Sequence, residues 1–162
     1  PSTYEFEKIR LSTYSTNFRV ENITADEIKT TNTNGGNRFY NINARLLDIS
    51  TWVSDINTEN INVTSFISTS SFGNQELSFL KMPQRISARA SRSGNINIYL
   101  PENDGFTINC GSKSIDTDFE VSTVYTDEED QSTRKLVYKD GTKTSISPYS
   151  LTGKIGVHRQ NS

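Results

Sequence analysis

NITADEI at 22–28, NINARLL at 41–47 and NINVTSF at 60–66 set an Asn-Ile pair at a step of nineteen residues, twice in succession. Lined up at that step, the chain shows four columns. Tyr4, Ile23, Ile42, Ile61 and Leu80 form one; Phe6, Ala25, Ala44, Val63 and Met82 form a second. Ile9, Ile28, Leu47 and Phe66 form a third, which Ile86 continues after one extra residue. The fourth holds small or polar pairs: Thr16-Asn17, Gly35-Gly36, Ser54-Asp55 and Gly73-Asn74, with Ser93-Gly94-Asn95 following after a two-residue slip. Residues of that type tolerate a left-handed backbone, so the fourth column reads as a turn.

A fixed internal period marks a repeat architecture. Between the turns the apolar residues alternate, as in Ile9-Leu11, Phe18-Val20, Ile96-Ile98-Leu100, Phe106-Ile108 and Ile155-Val157. Period two and β-branched side chains mean strands. A strand-rich repeat of this length predicts an all-β solenoid, each repeat one rung and the next rung stacked one strand spacing away, roughly 4.8 Å. The repeated Ile then enters the axial core. The Asn beside it, at 22, 41 and 60, marks a corner whose amides hydrogen-bond from rung to rung. One domain is expected over 1–162, with regular rungs over 3–86 and irregular rungs ending in a cap over 87–162. At about nineteen residues per rung that is roughly eight rungs.

Bulk composition fits. Apolar residues are only 32%, but the net charge is −2 and aromatics reach 10%, which argues against disorder. The excess polarity is Ser, Thr and Asn. The 17 basic and 19 acidic residues are interspersed, with no basic stripe, so a nucleic-acid partner is not expected. No apolar run reaches membrane-spanning length, and no secretory h-region is present. The chain starts at Pro1, and any leader or anchor is expected upstream. The single cysteine, Cys110, forms no intrachain disulfide.

SGNINIYLP at 93–101 joins a small-Gly-polar turn to an alternating strand and Leu-Pro. It resembles the signature of a bacterial family whose members carry the label "putative adhesin", once a domain of unknown function. STWVSDI at 50–56 and SLTGKIG at 150–156 look like further copies of the family's turn. That family usually has Asp after the Gly or Ser; Asp55 matches, Asn95 and Lys154 do not. The resemblance implies a β-solenoid in an extracytoplasmic, cell-envelope or surface protein, in some cases part of an envelope-stress system. It implies no agreed chemistry and no catalytic residue.

The residues themselves point the same way. A nucleophilic triad needs a base, and the one His, His158, alternates outward near the end of the chain. Cys110 alternates inward and reads as a small buried hydrophobe. No His/Cys cluster suggests a metal, and the DEED run at 127–130 lacks the ligand spacing of a calcium loop. No cofactor is expected. A glycan-cleaving β-helix would need paired carboxylates; Asp26, Asp48 and Asp55 are the candidates, and nothing in the sequence pairs them.

Binding is the better expectation. If Leu47, Ile49 and Thr51 face inward, Ser50 and Trp52 face out, and Tyr14 lies two rungs away in the Trp52 column with Thr33 between. Two rungs span roughly 10 Å, about two sugar units. A second reading has a bulge turn Trp52 inward, because Val53 breaks the alternation. The sequence therefore predicts a non-enzymatic envelope or surface module whose ligand site holds Tyr14 and Trp52. The expected partner is a polysaccharide or an envelope protein. The alternative is a scaffold or regulatory role in envelope stress, and open strand edges invite a homodimer.

Overall fold

The computed structural model describes residues 5–111, 113–125, 134–141 and 143–160. Every regular element there is a β-strand. The chain is a β-solenoid of about five turns with rungs about 19 residues apart. The first rung is β1 (Glu5–Ser15); the next three are β2 (Phe18–Asn34), β3 (Asn37–Val53) and β4 (Ile56–Phe72). They pair parallel, Ile9 on Ile28, Ile28 on Leu47 and Leu47 on Phe66.

Each long strand bends into three sides. Residues 18–21, 23–25 and 28–34 of β2 form them, and the register against β3 skips at 22 and 26, where the chain turns a corner. At the first corner Asn22, Asn41 and Asn60 have φ of 55°, 52° and 56°. Asn is one of the few side chains that enters this left-handed region readily. The Asn41 amide donates to Asn22 Oδ1 at 2.9 Å, and the Asn60 amide donates to Asn41 Oδ1 at 3.1 Å. This is the expected ladder, but it stands in solvent at Asn22 and Asn41. At the second corner Arg45 grips Asp26 with two hydrogen bonds, of 2.9 and 3.1 Å.

The third corner is the turn column. A Cβ on Gly73 would lie 2.0 Å from the Ser54 carbonyl oxygen, and one on Gly94 2.0 Å from that of Gly73, so at these two positions the stacked turns admit only glycine. The backbone N–H of the following residue is taken by a side chain one rung away. Gly36 donates to Asn17 Oδ1 (3.0 Å), Asn74 to Asp55 Oδ1 (2.7 Å), and Asn95 to Asn74 Oδ1 (2.9 Å).

The core follows the columns with one correction. Ile28, Leu47, Phe66 and Ile86 are fully buried, and Phe66 sits on Ile86 as the one-residue slip requires. Leu80 does not join Ile61; Phe79 does, fully buried, while Leu80 is 54% exposed. The fifth rung is split into β5 (Gln75–Phe79) and β6 (Arg85–Ser93). It is one residue shorter at the first corner, where Leu77–Phe79 spans Thr58–Ile61, and this puts Phe79 in the column.

Beyond this point the spiral continues in space but not in chain order, so the expected eight consecutive rungs do not form. After β7 (Ile96–Leu100) the chain enters β8 (Gly105–Gly111) and β9 (Ile115–Thr117). A plain spiral would lay β8 against β6. Instead β12 (Ser145–Ser150) lies between them, pairing parallel with both. Likewise β13 (Ile155–Arg159) lies between β7 and β9. The chain thus climbs two strand spacings at once, and its C-terminal rung returns to fill the slot. The turn of that rung stacks on Asn95, whose Oδ1 accepts from the Lys154 N–H at 2.9 Å. The end of the stack is an antiparallel pair, β10 (Val121–Tyr125) and β11 (Arg134–Lys139), added to β8. The expected cap at the C-terminus is therefore replaced by an internal rung, with the hairpin as the closing element.

Two outcomes test this construction. Asn41→Ala puts a Cβ-branchless but non-glycine residue at positive φ and removes two ladder bonds; it is expected to cost about 1–2 kcal/mol in urea unfolding, and Asn41→Gly less than half of that. Equal losses for the two variants would refute the conformational role. Removing residues 145–162 leaves β6 and β8 facing an empty slot, so the shortened chain is expected to lose its cooperative thermal transition by circular dichroism. A sharp transition near that of the full chain would show that the rung is dispensable.

Candidate binding face

The third side of the rungs forms a flat sheet, β2–β3–β4–β6–β12–β8, seen from solvent. Its inward residues are the core. Its outward residues fall into two regions of different character.

On the first three rungs acids stand among the bases. Glu27 is only 9% exposed, with Lys29 at 3.1 Å and Lys8 at 3.9 Å. The Lys29 ammonium bonded to it holds its carboxyl below the usual range. Asp48, in register with Lys29 on one side and Ile67 on the other, is half-buried. Burial pushes its carboxyl above the usual range; Lys29 opposes this and Glu27 adds to it.

The upper rungs are different. β6 reads RISARASRS, with Ile86, Ala88 and Ala90 fully buried and Arg85, Arg89 and Arg92 exposed. Above and below, Arg85 is flanked by Ser65 and Ser145, Ser87 by Ile67 and Ser147, and Arg89 by Thr69 and Tyr149. No carboxylate occurs on this side of the three strands, in residues 65–72 of β4, 85–93 of β6 or 145–150 of β12. None of the three arginines forms an ion pair among the described residues.

Aromatic rings support two of these guanidiniums. Arg89 lies over Tyr149, 4.6 Å from the ring centroid. Arg92 lies 5.6 Å from the Phe72 centroid and 6.0 Å from that of Trp52, and the two rings meet edge to face at 6.4 Å. A bulge places Arg92 there: Ser70 pairs with Ala90 but Phe72 with Ser93, so β6 carries one extra residue at this point. Bulges commonly re-aim a side chain in this way. Trp52 is 51% exposed and Val53 48%, so neither turns into the core. Tyr14 is 76% exposed and lies in the Trp52 column, away from the Arg92 cluster. The structure thus brings Trp52 together with Phe72, Arg92 and the row on β6, and leaves Tyr14 by itself on the first rung.

The arginine row escaped the sequence reading, which took the charges as interspersed. Its signal is an Arg every three or four residues along one strand, with Ile and Ala at the inward positions between, but it shows only after the strand is placed between its two neighbours.

The other singled-out residues do not assemble a reaction centre. Asp26 is bound by Arg45, Asp55 accepts a turn N–H, and Asp48 stands on the flat side. Cys110 faces inward, 6% exposed, with its thiol on the Arg134 carbonyl at 3.4 Å. His158 is half-buried beside the Tyr99 ring, centroids 5.7 Å apart. Among the described residues no group of three His, Cys, Asp or Glu side chains could hold a metal ion, and residues 127–130 lie outside them. A cleft of about 340 Å³ lies between Leu80–Met82 and the 101–105 loop, where Asp104 and Lys143 pair with each other at 2.8 Å. Among the described residues no helix is long and apolar enough to cross a membrane.

With the fold in hand, the comparison with protein families is direct: a family model, Toastrack DUF4097, matches residues 2–147. This chain belongs to the Toastrack DUF4097 family. The match covers the regular rungs, the β8–β11 excursion and the start of β12, and stops before the slot-filling rung is complete. No curated protein and no solved structure matches the chain.

Asp48 gives a pH-dependent prediction. Its folded-state affinity for a proton exceeds its unfolded one, so its ionisation opposes folding, and this loss grows as pH rises through the carboxylate range. Asp48→Asn is expected to raise the melting temperature at pH 7, and the gain should shrink as pH falls below the range where aspartate titrates. A gain that is constant with pH would show that burial of the charge is not its origin.

Proposed function

We propose that this Toastrack DUF4097 protein is a non-enzymatic recognition module of the bacterial cell envelope or surface, of the adhesin type, which presents its flat third side to a glycan. The observation that supports the reading is the exposed Trp52–Phe72–Arg92 cluster. Edge-to-face rings at a sheet margin leave one broad Trp face to solvent, and such faces stack on sugars. Exposed apolar groups gathered in one place mark contact sites more often than scattered ones. The surrounding Ser and Thr hydroxyls supply donors and acceptors without a cleft. The absence of converging carboxylates among the described residues gives no support to the glycan-cleaving alternative.

The test is binding of the purified protein to a panel of bacterial wall polysaccharides and host glycans, with Trp52→Ala alongside. The expected result is saturable binding that falls at least tenfold in the variant, with an unchanged melting curve. Binding that survives Trp52→Ala would move the site off this face. Failure to bind any glycan would overturn the reading in favour of a scaffold role.

A further inference from the structure

We propose that Arg85, Arg89 and Arg92 form a receiving row for an acidic polysaccharide, one that lies along β6, across the solenoid axis. The inference rests on the reading of this side as a glycan-binding face, and it adds the chemical class and the direction of the chain.

Four observations carry it. The three guanidiniums share one strand and one face, and no carboxylate answers them among the described residues. Two are backed by rings, Arg89 by Tyr149 and Arg92 by Phe72 and Trp52. A guanidinium stacked on a ring keeps its N–H edges free for paired hydrogen bonds to a carboxylate. The strand rise separates Arg85 from Arg89 by roughly 13 Å and Arg89 from Arg92 by roughly 10 Å, each about two sugar units. Finally, the neighbours above and below the row include Ser65, Thr69, Ser145 and Ser147, beside Ile67 and Tyr149. The serine and threonine hydroxyls suit the uncharged sugar between two acidic ones.

Charge explains why the site is on these rungs. On the earlier rungs of the same side, Glu27 already holds Lys29 and Lys8. There an anionic chain would have to displace an internal acid. On β6 it meets cations with no competitor. The same spacing disfavours nucleic acid, where charges recur far more densely, about one per 1.7 Å of duplex axis. The exposed Trp52 and Phe72 lie at the Arg92 end only, and the stretch around Arg85 and Ser87 is flanked by Ser65, Ser145, Ser147 and one aliphatic side chain, Ile67, which offers a lipid surface no continuous apolar band.

The experiment measures binding of the full chain to hyaluronate, which has one carboxylate per disaccharide, and to polygalacturonate, which has one per sugar. A neutral β-glucan, a single-stranded DNA oligomer and anionic phospholipid vesicles serve as comparisons. Arg89→Gln and Arg92→Gln are tested against Arg38→Gln, which makes the same charge change at an exposed position on another side. The expected result is binding to hyaluronate that weakens as salt rises, falls roughly tenfold in Arg89→Gln and in Arg92→Gln, and is unchanged in Arg38→Gln. Neutral β-glucan binding lost in Trp52→Ala but kept in the arginine variants would overturn the acidic-ligand inference and leave the glycan face standing. Binding to DNA or vesicles with neither acidic glycan bound would overturn it in favour of that partner. No binding to any glycan would remove both readings.

Discussion

In-register parallel stacking is the constraint on which this structure depends. Each residue of β2, β3 and β4 has its equivalent one strand spacing above and below. Like stacks on like, which suits Ile on Ile and Asn on Asn but penalises equal charges. The chain answers with alternation. Asp26 carries Arg45 above it, and Lys8 meets Glu27 in the next rung. The β6 row obeys the same rule in another way: its arginines are separated from other rungs by Ser, Thr and Tyr. That separation is why they are not neutralised by a neighbouring acid.

The interior explains how a chain with so few apolar residues folds. Ile, Leu and Phe columns fill the middle of each rung, but the third corner is lined by polar side chains. Asn32 donates its amide to the Gly35 and Thr16 carbonyls and to Asn37 Oδ1. Ser68 donates to Gln75 Oε1 at 2.5 Å, and Gln75 in turn donates to the Arg89 carbonyl. Buried polar groups are tolerable when bonded in this way and costly when not. The network fixes the turn against the sheet, and so fixes the margin that carries Trp52 and Phe72.

The returning C-terminal rung ties the two ends of the upper stack together. Lys154 bonds Asn95, and Ser150 Oγ bonds the Gly94 carbonyl, across more than fifty intervening residues. Tyr149, which supports Arg89, and Leu151, beside Arg92, both arrive on this rung. The candidate face is therefore complete only once the last strands are in place. A long loop must close before its contacts reward it, so the slot is expected to fill late in folding.

The nineteen-residue step by itself determined the architecture, the inward columns, the Asn corner and the stacked glycine turns, because a periodic chain in parallel register has one way to bury a periodic column. It also placed Trp52 and Tyr14 in one column, but left open whether Trp52 faces out, which the structure decided. Tertiary structure decided the rest. Phe79 replaced Leu80 because the fifth rung is one residue shorter than the fourth at the first corner, between Leu77 and Phe79. The order of strands above β7 was invisible, since two turns of the same type, Gly94-Asn95 and Gly153-Lys154, carry no mark of which strand lies between them. The arginine row was invisible for a related reason. Its meaning lies in the absence of acids on β12 and on the 65–72 stretch of β4, and β12 is brought beside β6 from the far end of the chain by pairing that no local pattern encodes.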